Sequence, residues 1–201
     1  MLKLLLVAVL AYLVGSMAFA VIVSRVMGLP DPRTFGSGNP GATNMLRGGS
    51  RAAAALVLLG DALKGWLAVW LTLQLIMPLA LPVQATAVAA LAVFLGHGYP
   101  LFFSFKGGKG VATALGILLA LQPLLGLGTL LVWLLVMGIT RISSLSALCA
   151  ALAAPLLGWM LLDQDWLRAT VLALAVILLA HHRANIGRLL RGEETIFRKT
   201  R

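Results

Sequence analysis

Long apolar stretches separated by short polar segments run along the whole chain. The apolar stretches cover residues 2–27, 52–77, 80–104, 110–122, 123–140, 142–162 and 166–182. A helix needs about 20 residues to cross the hydrocarbon core of a bilayer, so this pattern predicts an all-α, polytopic membrane protein with about seven spanning helices. The fourth stretch is short and Pro123 separates it from the fifth, so we expect a partial or tilted span there.

The basic residues predict how these helices are oriented. When the loops are assigned alternately to the two sides, one side receives thirteen of the sixteen Lys and Arg residues and the other receives Lys3 and Arg168. Loops rich in Lys and Arg stay in the cytoplasm. We therefore expect the N-terminus outside and the C-terminus in the cytoplasm, with nearly all glycine-rich segments on the cytoplasmic face.

The composition excludes several other classes of protein. The chain has 201 residues, of which 61% are hydrophobic and 11% are charged, whereas a soluble domain carries about 25% charged residues. The mean hydropathy of +1.00 likewise excludes a soluble or disordered chain. Cys149 is the only cysteine, so no intrachain disulfide and no cysteine-based metal cluster is expected. We expect residues 1–201 to form a single membrane domain.

The net charge of +10 lies in loops between apolar stretches rather than on a soluble domain. A nucleic acid would find no such domain to bind. The expected partners are therefore membrane lipids with anionic head groups and small anionic substrates at the membrane surface.

The first polar segment that could bind a ligand is residues 36–44, which we call the first glycine loop. It reads Gly-Ser-Gly-Asn-Pro-Gly-Ala-Thr-Asn and is followed by Arg47. Glycines allow backbone N–H groups to converge on an anion. An arginine fork matches the oxygens of a phosphate. A flexible connection between two spans is the alternative, but the density of polar side chains favours a ligand site.

The second glycine loop, residues 105–113, reads Phe-Lys-Gly-Gly-Lys-Gly-Val-Ala-Thr and leads into an apolar helix. Free N–H groups and the positive end of the helix dipole would face an anion there. The spacing is not that of a Walker A loop. Two lysines that only anchor a helix end at the head groups are an equally good interpretation of the segment taken alone.

Several polar residues lie within or beside the apolar stretches. Asp61 and Lys64 are three residues apart, so they can neutralise each other on one helix face, and a structural ion pair that supports the site is favoured over a catalytic role. His97, near the cytoplasmic end of the third stretch, is a further supporting candidate.

His182 and Asn185, at the end of the last stretch, share an inward stripe on a helical wheel. On the same wheel, Arg183, Arg188 and Arg191 point towards the head groups. We therefore expect the histidine and the asparagine at the cytoplasmic site. Three serines after Arg141 either cap a helix or reach the same site: Ser143, Ser144 and Ser146.

Together these motifs resemble the bacterial acyl-phosphate–glycerol-3-phosphate acyltransferases. The likeness rests on both glycine loops, on Arg47, and on His182-x-x-Asn185 followed by Gly192 and Glu194. It implies a seven-helix enzyme of the bacterial inner membrane, with its active site facing the cytoplasm. The implied reaction transfers an acyl chain from acyl phosphate to the sn-1 hydroxyl of glycerol 3-phosphate and begins phospholipid synthesis. Its products are lysophosphatidic acid and phosphate, and it uses no acyl-CoA, cofactor or metal.

The resemblance also implies roles for individual residues. The catalytic set around glycerol 3-phosphate comprises Ser37, Arg47, Lys106, Ser144, His182 and Asn185. The phosphate-binding set comprises Gly38, Asn39, Gly41, Thr43, Asn44, Gly107, Gly108, Lys109, Gly110 and Thr113. The supporting set comprises Asp61, Lys64, His97 and Glu194. Two alternatives stay open: which loop holds which phosphate, and whether Ser143 replaces Ser144.

The sequence contains no obvious Ser-His-Asp set, and the resemblance points to a substrate-assisted reaction in which residues position the substrates and neutralise charge. A transporter of a small organic phosphate is the alternative function, because it would use similar glycine-rich helix ends. It would also need a polar path through the outer half of the membrane, where this chain is almost purely apolar.

Overall fold

The computed structural model describes residues 1–196, and every regular element among them is helical. The helices are α1 (Leu2–Gly15), α2 (Phe19–Val26), α3 (Ala42–Arg47), α4 (Arg51–Leu75), α5 (Ala85–Gly98), α6 (Val111–Leu121), α7 (Pro123–Thr140), α8 (Ser143–Leu161), α9 (Asp165–His181) and α10 (Arg183–Leu190). A short 3-10 turn follows α5 at Leu101–Phe103. The predicted all-α class is confirmed. The basic tail residues Arg198, Lys199 and Arg201, which entered the orientation argument, lie outside the described residues.

Five helical segments in the described part of the chain are long and apolar enough to cross a membrane: Leu2–Val26, Arg51–Leu75, Ala85–Phe103, Pro123–Thr140 and Ser143–Leu161. A sixth is formed if α9 and α10, which are bent by 60° at their junction, count as one span. The short helix α6 has 11 residues, which at about 1.5 Å per residue cannot cross a core of about 30 Å. The structure thus supports five or six spans, and the count of seven and the orientation stay predictions.

Two of the predicted stretches differ in detail from the helices. The first is interrupted at residues 16–18, between α1 and α2. The third begins at Ala85 rather than at residue 80, and residues 76–84 form turns instead. Pro82 lies in these turns, and a proline disfavours helical geometry in the residue before it. Helix boundaries therefore depend on breaks that the apolar pattern alone does not mark.

The chain divides into two compact units, residues 1–121 and residues 122–201. The expectation of a single membrane domain stays a prediction. In the first unit α1 packs on α5 and α4 packs on α6, while in the second α8 packs on both α7 and α9.

Glycines set the closest helix approaches in the first unit. A Cβ added at Gly15 would lie 2.2 Å from Val93 O, and one added at Gly116 would lie 1.9 Å from Ala62 O. Small residues at such crossings let helix backbones approach closely inside a membrane. These two crossings fix the positions of α5 and α6, the helices on either side of the second glycine loop.

Candidate active site

The first glycine loop is folded around the side chain of Asn44, which is 1% exposed. Its Oδ1 accepts hydrogen bonds from the Ser37 N–H at 2.9 Å and from the Ser37 hydroxyl at 3.3 Å. Its amide group donates to Pro32 O at 2.8 Å and to Phe35 O at 3.1 Å. A carboxamide offers two donors and one accepting oxygen, and all of them are used by the loop and by the residues just before it. Asn44 thus shapes the loop and positions Ser37.

Glycine is required at position 36 of this loop. Gly36 has φ +59°, and a Cβ there would lie 2.2 Å from Asn44 Oδ1. Gly41 is the N-cap of α3, so the last residues of the loop form the first turn of this helix. Met45 of α3 is buried in an apolar cluster with Val23 of α2 and Val57 of α4. Because α3 is held by this cluster, its last residue, Arg47, has a defined position at the surface.

The side chains expected to meet a phosphate are accessible. Ser37, Arg47 and Lys106 are all exposed, and Asn39 and Lys109 are partly buried. An anionic ligand can therefore reach the exposed cationic and hydroxyl groups from the surface.

The second glycine loop lies directly on the end of α5. The Gly108 N–H donates to His97 O at 3.2 Å. A Cβ added at Gly108 would lie 2.4 Å from His97 Nε2 and 3.1 Å from Pro40 O. A Cβ added at Gly110, where φ is +88°, would lie 2.4 Å from the Phe94 ring. The loop therefore needs glycine for close approach, and it is a neighbour of the first loop at Pro40.

A buried ion pair lies beneath the second loop. Lys64 Nζ is 2.7 Å from Asp61 Oδ1, which confirms the pair expected from the sequence. His97 Nδ1 lies 3.3 Å from the same carboxylate oxygen. All three side chains are buried. The predicted supporting residues of the first unit thus form one group. Thr113, in the first turn of α6, is also fully buried.

In the second unit the carboxylate of Glu194 accepts hydrogen bonds from three side chains. Glu194 accepts from Ser144 Oγ at 2.9 Å, from Asn185 Nδ2 at 2.8 Å and from Arg188 Nε at 2.7 Å. Burial by itself would raise the pKa of Glu194, but the hydrogen bonds from Arg188, Asn185 and Ser144 outweigh it and hold this pKa below its ordinary value. We call these four residues the Glu194 cluster.

The structure places Ser144 and Ser143 differently. Ser144 is buried and donates to Glu194, whereas Ser143 is half-buried. Ser146 donates to Ile142 O at 3.0 Å, within its own helix. None of the three occupies the N-cap position of α8, which is Ile142.

His182 lies at the junction where α9 ends and α10 begins, and it is 2% exposed. Its Nδ1 lies 2.9 Å from Leu178 O. A carbonyl oxygen only accepts, so Nδ1 carries a proton and Nε2 is the nitrogen that can accept one. The histidine is thereby held in one ring orientation.

The expected orientation of Arg188 towards the head groups is wrong. Arg188 follows Asn185 by three residues in α10, and residues three apart share one face of a helix. Both side chains donate to Glu194. Arg183 and Arg191 are exposed, as expected, and Arg191 pairs with Glu193 at 2.7 Å.

The family model described as glycerol-3-phosphate acyltransferase matches residues 5–192. The chain belongs to the glycerol-3-phosphate acyltransferase family. Membership makes it a membrane acyltransferase of phospholipid synthesis, as the motifs predicted, and decides against the transporter.

Individual glycerol-3-phosphate acyltransferases agree along nearly the whole length. The one from Paraburkholderia phymatum is 57% identical over 191 residues, which cover 95% of this chain and 91% of that protein. A crystal structure of PlsY (YgiH), an integral membrane glycerol 3-phosphate acyltransferase, in its glycerol 3-phosphate form has a TM-score of 0.90 and 35% identity, covering 98% of this chain and 96% of that one. The lysophosphatidic acid form of PlsY has a TM-score of 0.88 at 34% identity.

Sequence reasoning missed one residue of the Glu194 cluster of this acyltransferase, namely Arg188. The available signal was an arginine and a glutamate in the same short polar tail, at positions 188 and 194. That signal was overlooked because Arg188 was placed on the head-group side of a helix, whereas α10 ends at Leu190 and Gly192 has φ +69°. The positive φ turns the chain back and brings the carboxylate to Arg188.

Proposed function

We propose that this acyltransferase uses acyl phosphate as its donor and transfers the acyl group to the sn-1 hydroxyl of glycerol 3-phosphate. The products are lysophosphatidic acid and inorganic phosphate. The observation that carries the proposal is the pair of neighbouring glycine loops with the exposed cations Arg47 and Lys106. Donor and acceptor each bring a phosphate in this reaction, and two adjacent anion-binding loops suit two phosphates.

In the first unit the loops bind phosphate oxygens. Arg47 and Lys106 neutralise their charge, and Ser37 adds a hydroxyl whose place is set by Asn44. Further phosphate contacts come from the remaining loop residues: Gly38, Asn39, Gly41, Thr43, Gly107, Gly108, Lys109, Gly110 and Thr113. Gly108 contributes close backbone approach, because its own N–H donates to His97 O.

In the second unit His182, Asn185 and Ser144 position glycerol 3-phosphate. The bend between α9 and α10 and the hydrogen bond to Leu178 O hold the imidazole in place. Glu194 and Arg188 hold Asn185 and Ser144 from behind. Such pre-positioned polar groups reduce the ordering that the substrate must undergo before it reacts.

The reaction needs little beyond positioning and charge neutralisation. The hydroxyl oxygen attacks the carbonyl carbon of the acyl phosphate, the new ester C–O bond forms, and the bond to the phosphate oxygen breaks. Cations at the phosphate stabilise the leaving group. The departing phosphate accepts the hydroxyl proton, so no side chain has to act as the base.

The proposal includes the topology. Seven spans, an external N-terminus and a cytoplasmic C-terminus would place both glycine loops on the cytoplasmic side of the bacterial inner membrane, where the soluble substrate glycerol 3-phosphate is found. The excess of Lys and Arg in these loops supports this orientation. The acyl substrate would enter from the lipid.

The test uses purified protein with glycerol 3-phosphate and either palmitoyl phosphate or palmitoyl-CoA. We expect 1-acyl product from palmitoyl phosphate alone, with the position of the ester determined by NMR. A mock purification from the same host without this protein reports any contaminating host acyltransferase. Product from palmitoyl-CoA but not from palmitoyl phosphate would reject the donor, and a 2-acyl product would reject the regiochemistry.

A further inference from the structure

Three ionisable side chains are buried in the first unit without a part in the proposed chemistry. Asp61 and Lys64 are each 3% exposed and His97 is 6% exposed. Charged groups inside a membrane protein are costly unless they are paired, and they tend to mark a functional requirement. The contacts of Asp61, Lys64 and His97 indicate which function their burial serves.

The three side chains form a continuous path between backbone segments. Lys64 Nζ donates to Met17 O at 2.8 Å and lies 2.7 Å from Asp61 Oδ1. The same carboxylate oxygen lies 3.3 Å from His97 Nδ1. The His97 ring then lies against the backbone of Gly108, since a Cβ added at Gly108 would be 2.4 Å from Nε2.

At each end of this path lies a backbone segment that leads to a glycine loop. Met17 lies in the interruption between α1 and α2, and α2 leads into the segment that carries the first loop. His97 is in the last turn of α5, and its carbonyl oxygen accepts the Gly108 N–H of the second loop. Asp61 and Lys64 lie in the middle of α4, between these two ends.

We propose that Lys64, Asp61 and His97 are positioning residues that set the spacing between the two glycine loops. This proposal rests on the proposed function, because it takes both loops to be phosphate sites. Pro40 of the first loop and Gly108 of the second are in contact distance, so a small shift of α5 relative to α4 changes the separation of the two phosphates. The network holds that separation at the value that the acyl transfer needs.

The primary test is the KM for each substrate in His97→Ala and His97→Gln. In His97→Ala we expect KM for glycerol 3-phosphate and for palmitoyl phosphate to rise together by about tenfold, as for loss of one hydrogen bond to a charged group, with a smaller change in kcat. In His97→Gln, whose amide can still donate to Asp61, most of this loss should be recovered.

Removal of one buried charge can prevent folding. The second test therefore measures both KM values in the double variant Asp61→Asn with Lys64→Met, in which neither member of the ion pair keeps a charge. The same parallel rise in both KM values is expected. The matched control is Lys3→Met, since Lys3 also donates to backbone carbonyls, of Leu79 and Ala80, in the same unit. Its KM values should equal those of the wild type.

A purely structural role would lower the amount of folded enzyme and leave both KM values unchanged, and that result would overturn the proposal. A change in only one KM would also overturn it. Thermal stabilisation by inorganic phosphate, measured without any acyl donor, separates the two proposals. If His97→Ala weakens this stabilisation while the wild type fails with palmitoyl phosphate, the donor assignment is wrong but the positioning role stands.

Discussion

Arg47 and Lys106 hold their charges at the surface of the first unit, whereas His182 in the second is buried and fixed by a backbone carbonyl. The difference in burial separates two kinds of contribution. An exposed cation acts directly on an anionic ligand, and its removal leaves the fold intact. A buried imidazole acts through its orientation, so the chemistry of its replacement decides how much function remains.

Replacement of either exposed cation should reduce activity without loss of protein. Arg47→Ala and Lys106→Ala each remove a charge-assisted contact of about 1.5–3 kcal/mol, so kcat/KM should fall by at least about tenfold. Arg47→Lys should recover little, because a lysine cannot form the two parallel bonds of an arginine fork. Kinetics with purified variants test this, and Arg51→Ala, an exposed arginine at the start of α4, is the control. Wild-type kinetics in either alanine variant would remove that residue from the site.

Variants of His182 distinguish a positioning group from a general base. If the imidazole positions glycerol 3-phosphate, His182→Asn and His182→Gln should retain more activity than His182→Ala, since both keep a hydrogen-bonding group. If it is the base, all three should lose about 10²–10⁴-fold, and one limb of the wild-type pH–rate profile should disappear. The measurement is kcat against pH for the four proteins, and an equal loss with a missing limb would establish His182 as the base.

At the scale of helices, glycine crossings in the first unit and the Glu194 cluster in the second hold the elements in place. The crossings work through the absence of a side chain, and the cluster works through hydrogen bonds between α8, α10 and the segment after α10. A substitution in either the crossings or the cluster leaves the expected substrate contacts of the first unit unchanged.

The α4–α6 crossing predicts that Gly116→Ala destabilises the protein. The added methyl group would lie 1.9 Å from Ala62 O, so the helices must separate, at a cost of roughly 1–3 kcal/mol. Gly138→Ala is the matched control, because nothing lies within 4 Å of a Cβ at that helical position. Thermal unfolding in detergent should show a lower midpoint for Gly116→Ala and an unchanged or higher one for Gly138→Ala. Equal midpoints would mean that the crossing is looser than described.

The Glu194 cluster predicts a loss of stability in acid. The pKa of Glu194 is below its ordinary value of 4.5 in the folded protein, so the unfolded chain binds the proton more readily. The stabilisation is therefore complete above pH 4.5 and is lost as the pH falls through the lower, folded pKa.

Glu194→Gln should lack this acid-dependent component, and at neutral pH it should be less stable by about 1–2 kcal/mol, because it loses the charged bond to Arg188. Unfolding midpoints across the acid range test this. Glu193→Gln is the control, since its ion pair with Arg191 is exposed. The idea fails if Glu194→Gln and the wild type respond to acid in the same way.

For the whole molecule, the orientation in the membrane is the property that the described helices leave as a prediction. The positive-inside argument predicts that a reporter fused after Arg201 is cytoplasmic, while one inserted in the turns at residues 76–84 is external. Paired phosphatase and fluorescent-protein fusions at the two sites measure this. A tail on the outer side would mean that the number of spans is even rather than odd.

Much of the fold and of the expected site followed from local patterns. The helical class followed from stretch lengths, because a bilayer imposes one hydrophobic length on every span. The two loops followed from runs of glycine, lysine and arginine, and these runs are contiguous in sequence. The ion pair of Asp61 with Lys64 was accessible for the same reason, since its members are three residues apart on one helix.

Helix breaks were the limit of this reasoning. The interruption at residues 16–18 and the 60° bend after His181 lie inside apolar or mixed stretches with no proline to mark them. A further break after α10, where Gly192 has a positive φ, brings Glu194 to Arg188. Backbone breaks of this kind are stabilised by distant partners, as when Lys64 donates to Met17 O.

The sequence by itself determined the membrane class, the family motifs and the residues with the right chemistry, because hydrophobic length and glycine-rich loops are local properties of a chain. Only the tertiary structure decided which distant residues these side chains contact. Lys64 reaches Met17 across 47 residues, and Ser144 reaches Glu194 across 50. These contacts depend on how helices pack and bend, and packing is set by shape at close crossings such as Gly116 on Ala62, which no local pattern of polar and apolar residues encodes.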